Sequence, residues 1–187
     1  MISYQNSRNI LKRGVIKIKD EKIKSINSLN RILSENIYSP IHYPAGNNAA
    51  FDGFAINAKD TNNIKKGIKQ KFKIIGSIAA GNKPFKKKIH KYEAVEIMTG
   101  GIIPKGFDTI IPIEQIIFYP SNSNRKYILV NQKIKKYNHV RFQGSDYKKK
   151  ELVLKKNIII KPNHLLAFKT LGIKNITVKK KINIFTG

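Results

Sequence analysis

The sequence has no cysteine and no tryptophan, and only 11 acidic residues stand against 37 lysines and arginines in 187 positions. Without cysteine there are no disulfides, thiolate metal ligands, cysteine nucleophiles or iron–sulfur ligation. No apolar run approaches the roughly 18–20 residues needed to span a bilayer. The opening residues, Met1-Ile2-Ser3-Tyr4-Gln5-Asn6, lack the charged-then-apolar layout of a signal peptide. A soluble, cytoplasmic protein with no membrane association is the expectation. There is no P-loop, GxGxxG, nucleophile elbow or HExxH motif. His42, His90, His139 and His164 show no metal-ligand spacing and read as surface or capping residues.

Hydrophobic residues make up 41% of the chain, which excludes a disordered tail of the low-hydrophobicity kind. A chain of this size buries roughly 70% of its unfolded surface, enough for one domain or two small ones. The net charge of +26 invites a nucleic-acid reading. The make-up of that charge argues for a blander origin: 32 Lys and 5 Arg accompany 33 Ile and 19 Asn, all but Arg with A/T-rich codons. Arginine, the residue of bidentate base contacts, is scarce, and no basic–aromatic repeat is visible along the chain. A solvated, genome-biased surface with weak, salt-sensitive attraction to polyanions is the expectation.

Along the chain, Ile10 and Leu11 mark a short helix ended near Gly14, and Lys22-Ile23-Lys24 a brief strand. Asn27 or Ser28 can cap a second helix carrying Leu29, Ile32, Leu33 and Ile37 at helical spacing. Ser39-Pro40 and Tyr43-Pro44 end it. Between about 51 and 140 short β-rich runs alternate with turns. The runs are Phe54–Ile56, Phe72–Ile78, Ala94–Met98, Thr109–Ile113, Ile116–Phe118 and Tyr127–Val130. This texture predicts a small β-barrel or sandwich. Beyond 150, strands at Leu152–Leu154, Ile158–Ile160 and Ile176–Val178 flank a helix that Asn163 would cap and Gly172 would end. Ile182–Phe185 is a last strand running into Thr186-Gly187. The fold class is α+β, mainly β.

Because acids are rare, each is informative. Asp52 lies in Asn47-Asn48-Ala49-Ala50-Phe51-Asp52-Gly53, where it can orient a ligand, cap backbone donors, or simply make an Asp-Gly turn. Met98-Thr99-Gly100-Gly101 at a strand end offers backbone N–H groups and a hydroxyl, either as an oxyanion nest or as a tight turn. Arg141, Gly144 and Asp146 form another loop cluster, in which Arg141 either holds an oxyanion or makes a surface ion pair.

Taken in order, these segments resemble one family, the molybdopterin molybdenumtransferases related to the E domain of gephyrin. Asn48-Ala49-Ala50-Phe51-Asp52-Gly53-Phe54-Ala55 is similar to its Asn-Ser-Ala-Met-Asp-Gly-Tyr-Ala signature. Ala80-Gly81-Asn82-Lys83-Pro84 resembles Ala-Gly-x-x-Pro, and Ile97 to Gly106 resembles Ile-Met-Thr-Gly-Ala-x-x-Pro-x-Gly. Asp108 to Gln115 is similar to its hydrophobic strand with a following Glu. Asn138 to Asp146 resembles Asn-x-Arg-x-x-Gly-Glu-Asp, and Leu171-Gly172-Ile173 and Thr186-Gly187 also have counterparts. Asn47, Ala49 and Ser145 stand where the family usually has Asp, Ser and Glu.

The resemblance implies an N-terminal part of that family. Its expected layout is a helical segment (1–19), an elongated linker domain (20–40 and 140–178), an inserted β-rich, barrel-like domain (41–139), and the start of a truncated molybdopterin-binding α/β domain (179–187). It implies insertion of molybdate into adenylated molybdopterin with release of AMP, dependent on Mg²⁺, with most metal ligands outside this part and the fragment alone inactive. By resemblance Asp52, Asp146 and Thr99 are catalytic and Gly100, Arg141 and Asn48 bind substrate. A homodimer of the full-length protein and a molybdopterin adenylyltransferase are the implied partners, with no specific nucleic acid. The alternatives are a non-catalytic dimerisation or assembly module of the same family, and a basic nucleic-acid-binding protein.

Overall fold

The computed structural model describes residues 2–14, 17–82, 85 and 87–182. Helix α1 spans Tyr4–Arg13, followed by β1 (Asp20–Lys24), β2 (Ile37–Tyr38), β3 (Asn48–Ala49), β4 (Gly53–Ile56), β5 (Gln70–Ile78) and β6 (Glu93–Ile97). Next come β7 (Thr109–Pro112), β8 (Ile117–Pro120), β9 (Arg125–Val130), β10 (Val140–Arg141) and β11 (Leu152–Leu154). Helix α2 (Pro162–Thr170) and β12 (Asn175–Lys179) complete the described elements. Among the described residues the chain is mainly β, with two α-helices. The strand expected at Ile182–Phe185 lies largely outside the described residues. Among the described residues no helix is long and apolar enough to cross a membrane.

The chain divides into two compact units, one from residues 1–40 and 150–187, the other from Ile41–Lys149. The first is built on pairings between the early and late chain. β1 runs antiparallel to β12, with Ile23 opposite Ile176, and β2 pairs with β11. Leu33, Ile37, Leu154, Ile160, Phe168, Ile176 and Val178 form its core. Arg31 ion-pairs with Glu21 and donates to the carbonyl of Lys179, and that guanidinium lowers the Glu21 pKa. Helix α1 is capped by Ser3, whose Oγ accepts from Asn6 N at 3.2 Å, and none of its residues is buried.

The helix expected from Leu29 to Ile37 does not form. Only Leu33 and Ile37 of that apolar series are buried, while Leu29 and Ile32 are exposed. Asn30 has a left-handed φ of 62°, and Leu33 N and Ser34 N donate to the carbonyls of Ile158 and Thr177. Long-range pairing therefore claims the backbone groups that a local helix needs. Helix α2 begins earlier than Asn163 suggests. Lys161 is its N-cap, Pro162 its first residue, and His164 Nδ1 reaches back to accept from Lys161 N at 3.1 Å. Gly172 ends the helix at φ 71°.

The second unit contains one six-stranded sheet, in the order β7-β4-β6-β5-β9-β8, curled into a half-barrel. All six β runs read from this stretch are strands of that sheet. One part of the core holds Phe54, Ile56, Phe72, Ala94, Ile111, Ile128, Val130 and Ile134. A second part holds Ala49, Ala55, Ile78, Val95, Ile97, Phe107 and Ile110, with Ile103 and Val140 packed against it. Residues 140–149 belong to this unit, not to the linker unit to which the sequence reading gave them. Arg141 pairs with Asn48, and Tyr147 with Tyr43, so their backbone bonds go to the β-rich unit.

Phe168 has no exposed surface and lies at the centre of the first unit's core. Phe168→Ala should lower its stability by about 3–5 kcal/mol, read by urea denaturation. A loss below about 1 kcal/mol would contradict this packing.

Candidate functional site

The site residues read from the sequence gather around residues 47–50. On one edge, Ala49 N donates to Gly101 O at 3.0 Å, Gly100 N to Ala49 O at 2.9 Å, and Ile103 N to Asn47 O at 2.9 Å. On the other edge, β3 pairs with β10, placing Asn48 opposite Arg141 and Ala49 opposite Val140, and Ala50 N donates to His139 O at 3.0 Å. Loops distant in sequence are thus stitched to one short strip. Ala49 is buried, which suits a side chain small enough to let both neighbours approach.

Asp52 lies just beyond the strip. Its Oδ1 accepts from Thr99 N at 2.6 Å and from Thr99 Oγ1 at 2.7 Å. The Thr99 hydroxyl and then its amide favour the charged carboxylate and lower the Asp52 pKa. Both bonds use Oδ1, which leaves Oδ2 to a ligand. Asp52 O also accepts from Ile113 N at 3.0 Å. Of the roles left open for Asp52, the capping of backbone donors is the one the geometry shows. The Asp-Gly turn is not formed. Gly53 opens β4, and a Cβ there would press into the carbonyl of Ile111 on β7. The glycine permits two backbones to touch.

The backbone nest expected at Thr99–Gly101 is not available to a ligand. Thr99 N is held by Asp52, Gly100 N by Ala49 O, and Gly101 N by Met98 O. Gly100 is nonetheless needed, at φ 80°, to turn the chain back along the strip.

Arg141 ion-pairs with Asp146, whose Oδ1 also accepts from Ser145 Oγ at 3.2 Å. The Arg141 side chain stays 45% exposed, so N–H donors remain for an anion. Gly144, at φ 69°, donates its N–H to Pro44 O, and Asp146 N donates to Tyr43 O, anchoring this loop. Asn48 is only 8% exposed, and its Oδ1 has no hydrogen-bond partner among the described residues. A buried, unpaired amide oxygen is uncommon and calls for a reason.

Three further residues support the site. Asn47 Oδ1 accepts from Gln143 N at 2.9 Å, and Gln143 Nε2 donates to Ala45 O at 2.7 Å. His139, half-buried, packs edge-on against Phe51 at 4.8 Å. No local pattern marks Gln143, because its partners lie 96 and 98 positions away. Among the described residues no three His, Asp or Glu side chains converge on a metal.

Residues 2–172 match the family described as MoeA N-terminal region (domain I and II). The chain belongs to that family. It is 29% identical over 180 residues to a molybdopterin molybdenumtransferase of Staphylococcus epidermidis, covering 96% of this chain and 42% of that one. It is 31% identical over 155 residues to the enzyme of the same name from Haemophilus influenzae, covering 83% of this chain and 36% of that one. The crystal structure of a molybdopterin biosynthesis MoeA protein from Pyrococcus horikoshii superimposes with a TM-score of 0.82 at 29% identity, over 95% of this chain and 44% of that chain. The chain therefore spans about two fifths of the length of these relatives.

Because its partners hold the Asp52 carboxylate in the charged form, the Asp52–Thr99 clasp is intact above the ordinary aspartate range, about 3.9. It is lost as pH falls through the lower, folded-state value. The Thr99 amide resonance should follow this titration with a midpoint below about 3.9. A midpoint at or above that value would contradict the clasp.

Proposed function

We propose that this chain serves molybdenum cofactor biosynthesis as the N-terminal domains of a molybdopterin molybdenumtransferase. The reaction is insertion of molybdate into adenylated molybdopterin with release of AMP. What carries the reading is the convergence of Asn48, Asp52, Thr99 and Arg141 through one hydrogen-bonded set of loops in a chain of this family. The substrates are anions. Arg141, with free guanidinium donors beside Asp146, is the residue that binds an oxyanion or phosphate. Asn48, opposite it in the ladder, supplies an amide with unspent hydrogen-bonding capacity. Gly100 keeps the wall of the site free of a side chain.

Asp52 and Thr99 act as a unit. The carboxylate fixes the Thr99 hydroxyl as a donor to Oδ1, so the hydroxyl oxygen can accept from a substrate group or water, while Oδ2 orients a second one. Asp146 sets the angle of the Arg141 guanidinium. The described residues hold no cluster of three acids or histidines that could hold Mg²⁺. It is assigned, with the nucleotide and pterin contacts, to the remaining length of the relatives. A homodimer and a molybdopterin adenylyltransferase as supplier of substrate fit the same reading, as does the cytoplasm as its location.

The test is a chimera in which this chain replaces the matched 36% of the Haemophilus influenzae relative. AMP release from adenylated molybdopterin in the presence of molybdate should be supported. Asp52→Ala in the chimera should slow it about 100-fold or more, within the range for a lost positioned group, with an unchanged thermal melt. A folded, inactive chimera, or turnover untouched by Asp52→Ala, would contradict the proposal. The 187-residue chain by itself should release no AMP.

A further inference from the structure

We propose that the outward face of the β5–β9–β8 edge of the sheet binds single-stranded nucleic acid without regard to sequence. Tyr119 and Tyr127 stack the bases, and Lys71 and Lys73 meet the phosphates. The face follows from register. Phe72, Ile128 and Val130 point into the core, with Phe118 packed against them. Alternation then puts Lys71, Leu129 and Ile117 in one outward row and Lys73, Tyr127 and Tyr119 in the next. Ile117 and Tyr119 are 45% and 40% exposed.

The rings are already arranged for cations and planar groups. Lys71 Nζ lies 3.7 Å from the centroid of Tyr119, and the Tyr119 and Tyr127 rings are 6.3 Å apart and tilted. At the turn end of the same hairpin the Arg125 guanidinium covers Phe118 at 4.3 Å, on the core-facing side and outside the proposed face. The nearest acid in register is Glu93, opposite Lys73, and its carboxylate accepts from His90 N at 2.6 Å. The whole chain carries +26, a field that draws a polyanion from a distance.

Charge and shape together choose the occupant. An apolar protein surface would leave the lysines unmatched, and a base-free polyanion would leave the tyrosines unused. Single-stranded nucleic acid supplies both phosphates and π-faces. With only five arginines in the chain, base edges go unread and binding is sequence-independent. This face shares no residue with the Asn48–Arg141 site, so its test is independent of the proposed function.

The experiment is fluorescence anisotropy of the 187-residue chain with fluorescein-labelled oligo(dT) in 50 mM salt, with inorganic polyphosphate as a base-free competitor. Tyr119→Leu/Tyr127→Leu keeps an apolar, branched face but removes the rings. It should weaken oligonucleotide binding about fivefold or more and leave polyphosphate binding unchanged. Lys65→Ala/Lys66→Ala, in an exposed turn elsewhere, should weaken both ligands to the same small extent. If the leucine variant does not fold, Lys71→Gln/Lys73→Gln replaces it. That variant should lower the slope of log K against log salt by about 1.4, two contacts at roughly 0.7 each. Absence of oligonucleotide binding, equal loss for both ligands, or an unchanged slope would overturn the proposal.

Discussion

The candidate site depends on a strip of four residues, 47–50, hydrogen-bonded along both edges. One edge takes the turn after β6, the other takes β10 and the residue before it. Two-sided pairing explains why the strip is Asn-Asn-Ala-Ala. At its buried pair, the small Ala49 lets both neighbours close in, and Asn48 places an amide where charge would be costly to bury. Asp52 then needs only the few residues beyond the strip to reach Thr99. The loops of the site are strand-like at their roots, with Ala49, Ile103 and Val140 tied into the same packed cluster as Ile97 and Ile110.

The scarce acids are placed in a consistent way. In a chain with 11 acids, Glu35, Asp52, Asp60, Glu93 and Asp108 each accept from a backbone N–H. Asp20, Glu21 and Asp146 meet the cations of Lys179, Arg31 and Arg141. Acids are thus placed where an ionised acceptor completes the fold, and lysine fills the rest of the surface. Asp52 differs from the other backbone acceptors in also holding a hydroxyl at an exposed position. Arg141 differs from Arg31 in being half-exposed, not spent on strand pairing.

Much of this was legible in the sequence. The β runs between 51 and 140 alternate cleanly with turns and became the six-stranded sheet, and ordered motifs such as Asn48–Ala55 and Ile97–Gly106 pointed to the family. What was hidden was hidden for physical reasons. The apolar spacing of Leu29, Ile32, Leu33 and Ile37 fits a helix, but partners more than 100 residues away take their backbone donors. The turn at Thr99–Gly101 has the composition of an anion nest, yet its N–H groups are consumed by Ala49, Met98 and Asp52. The aromatic–cationic face is absent from any linear window, because β5, β8 and β9 contribute to it from separate stretches.

The most direct measurement of the central claim is an amide NMR titration of the 187-residue chain with adenylated molybdopterin. Perturbed resonances should cluster at 47–52, 98–102 and 139–146, and Arg141→Ala should abolish them while leaving the spectrum folded. Perturbations confined to the first unit, or a pattern indifferent to Arg141, would contradict the assignment of this face as the substrate site.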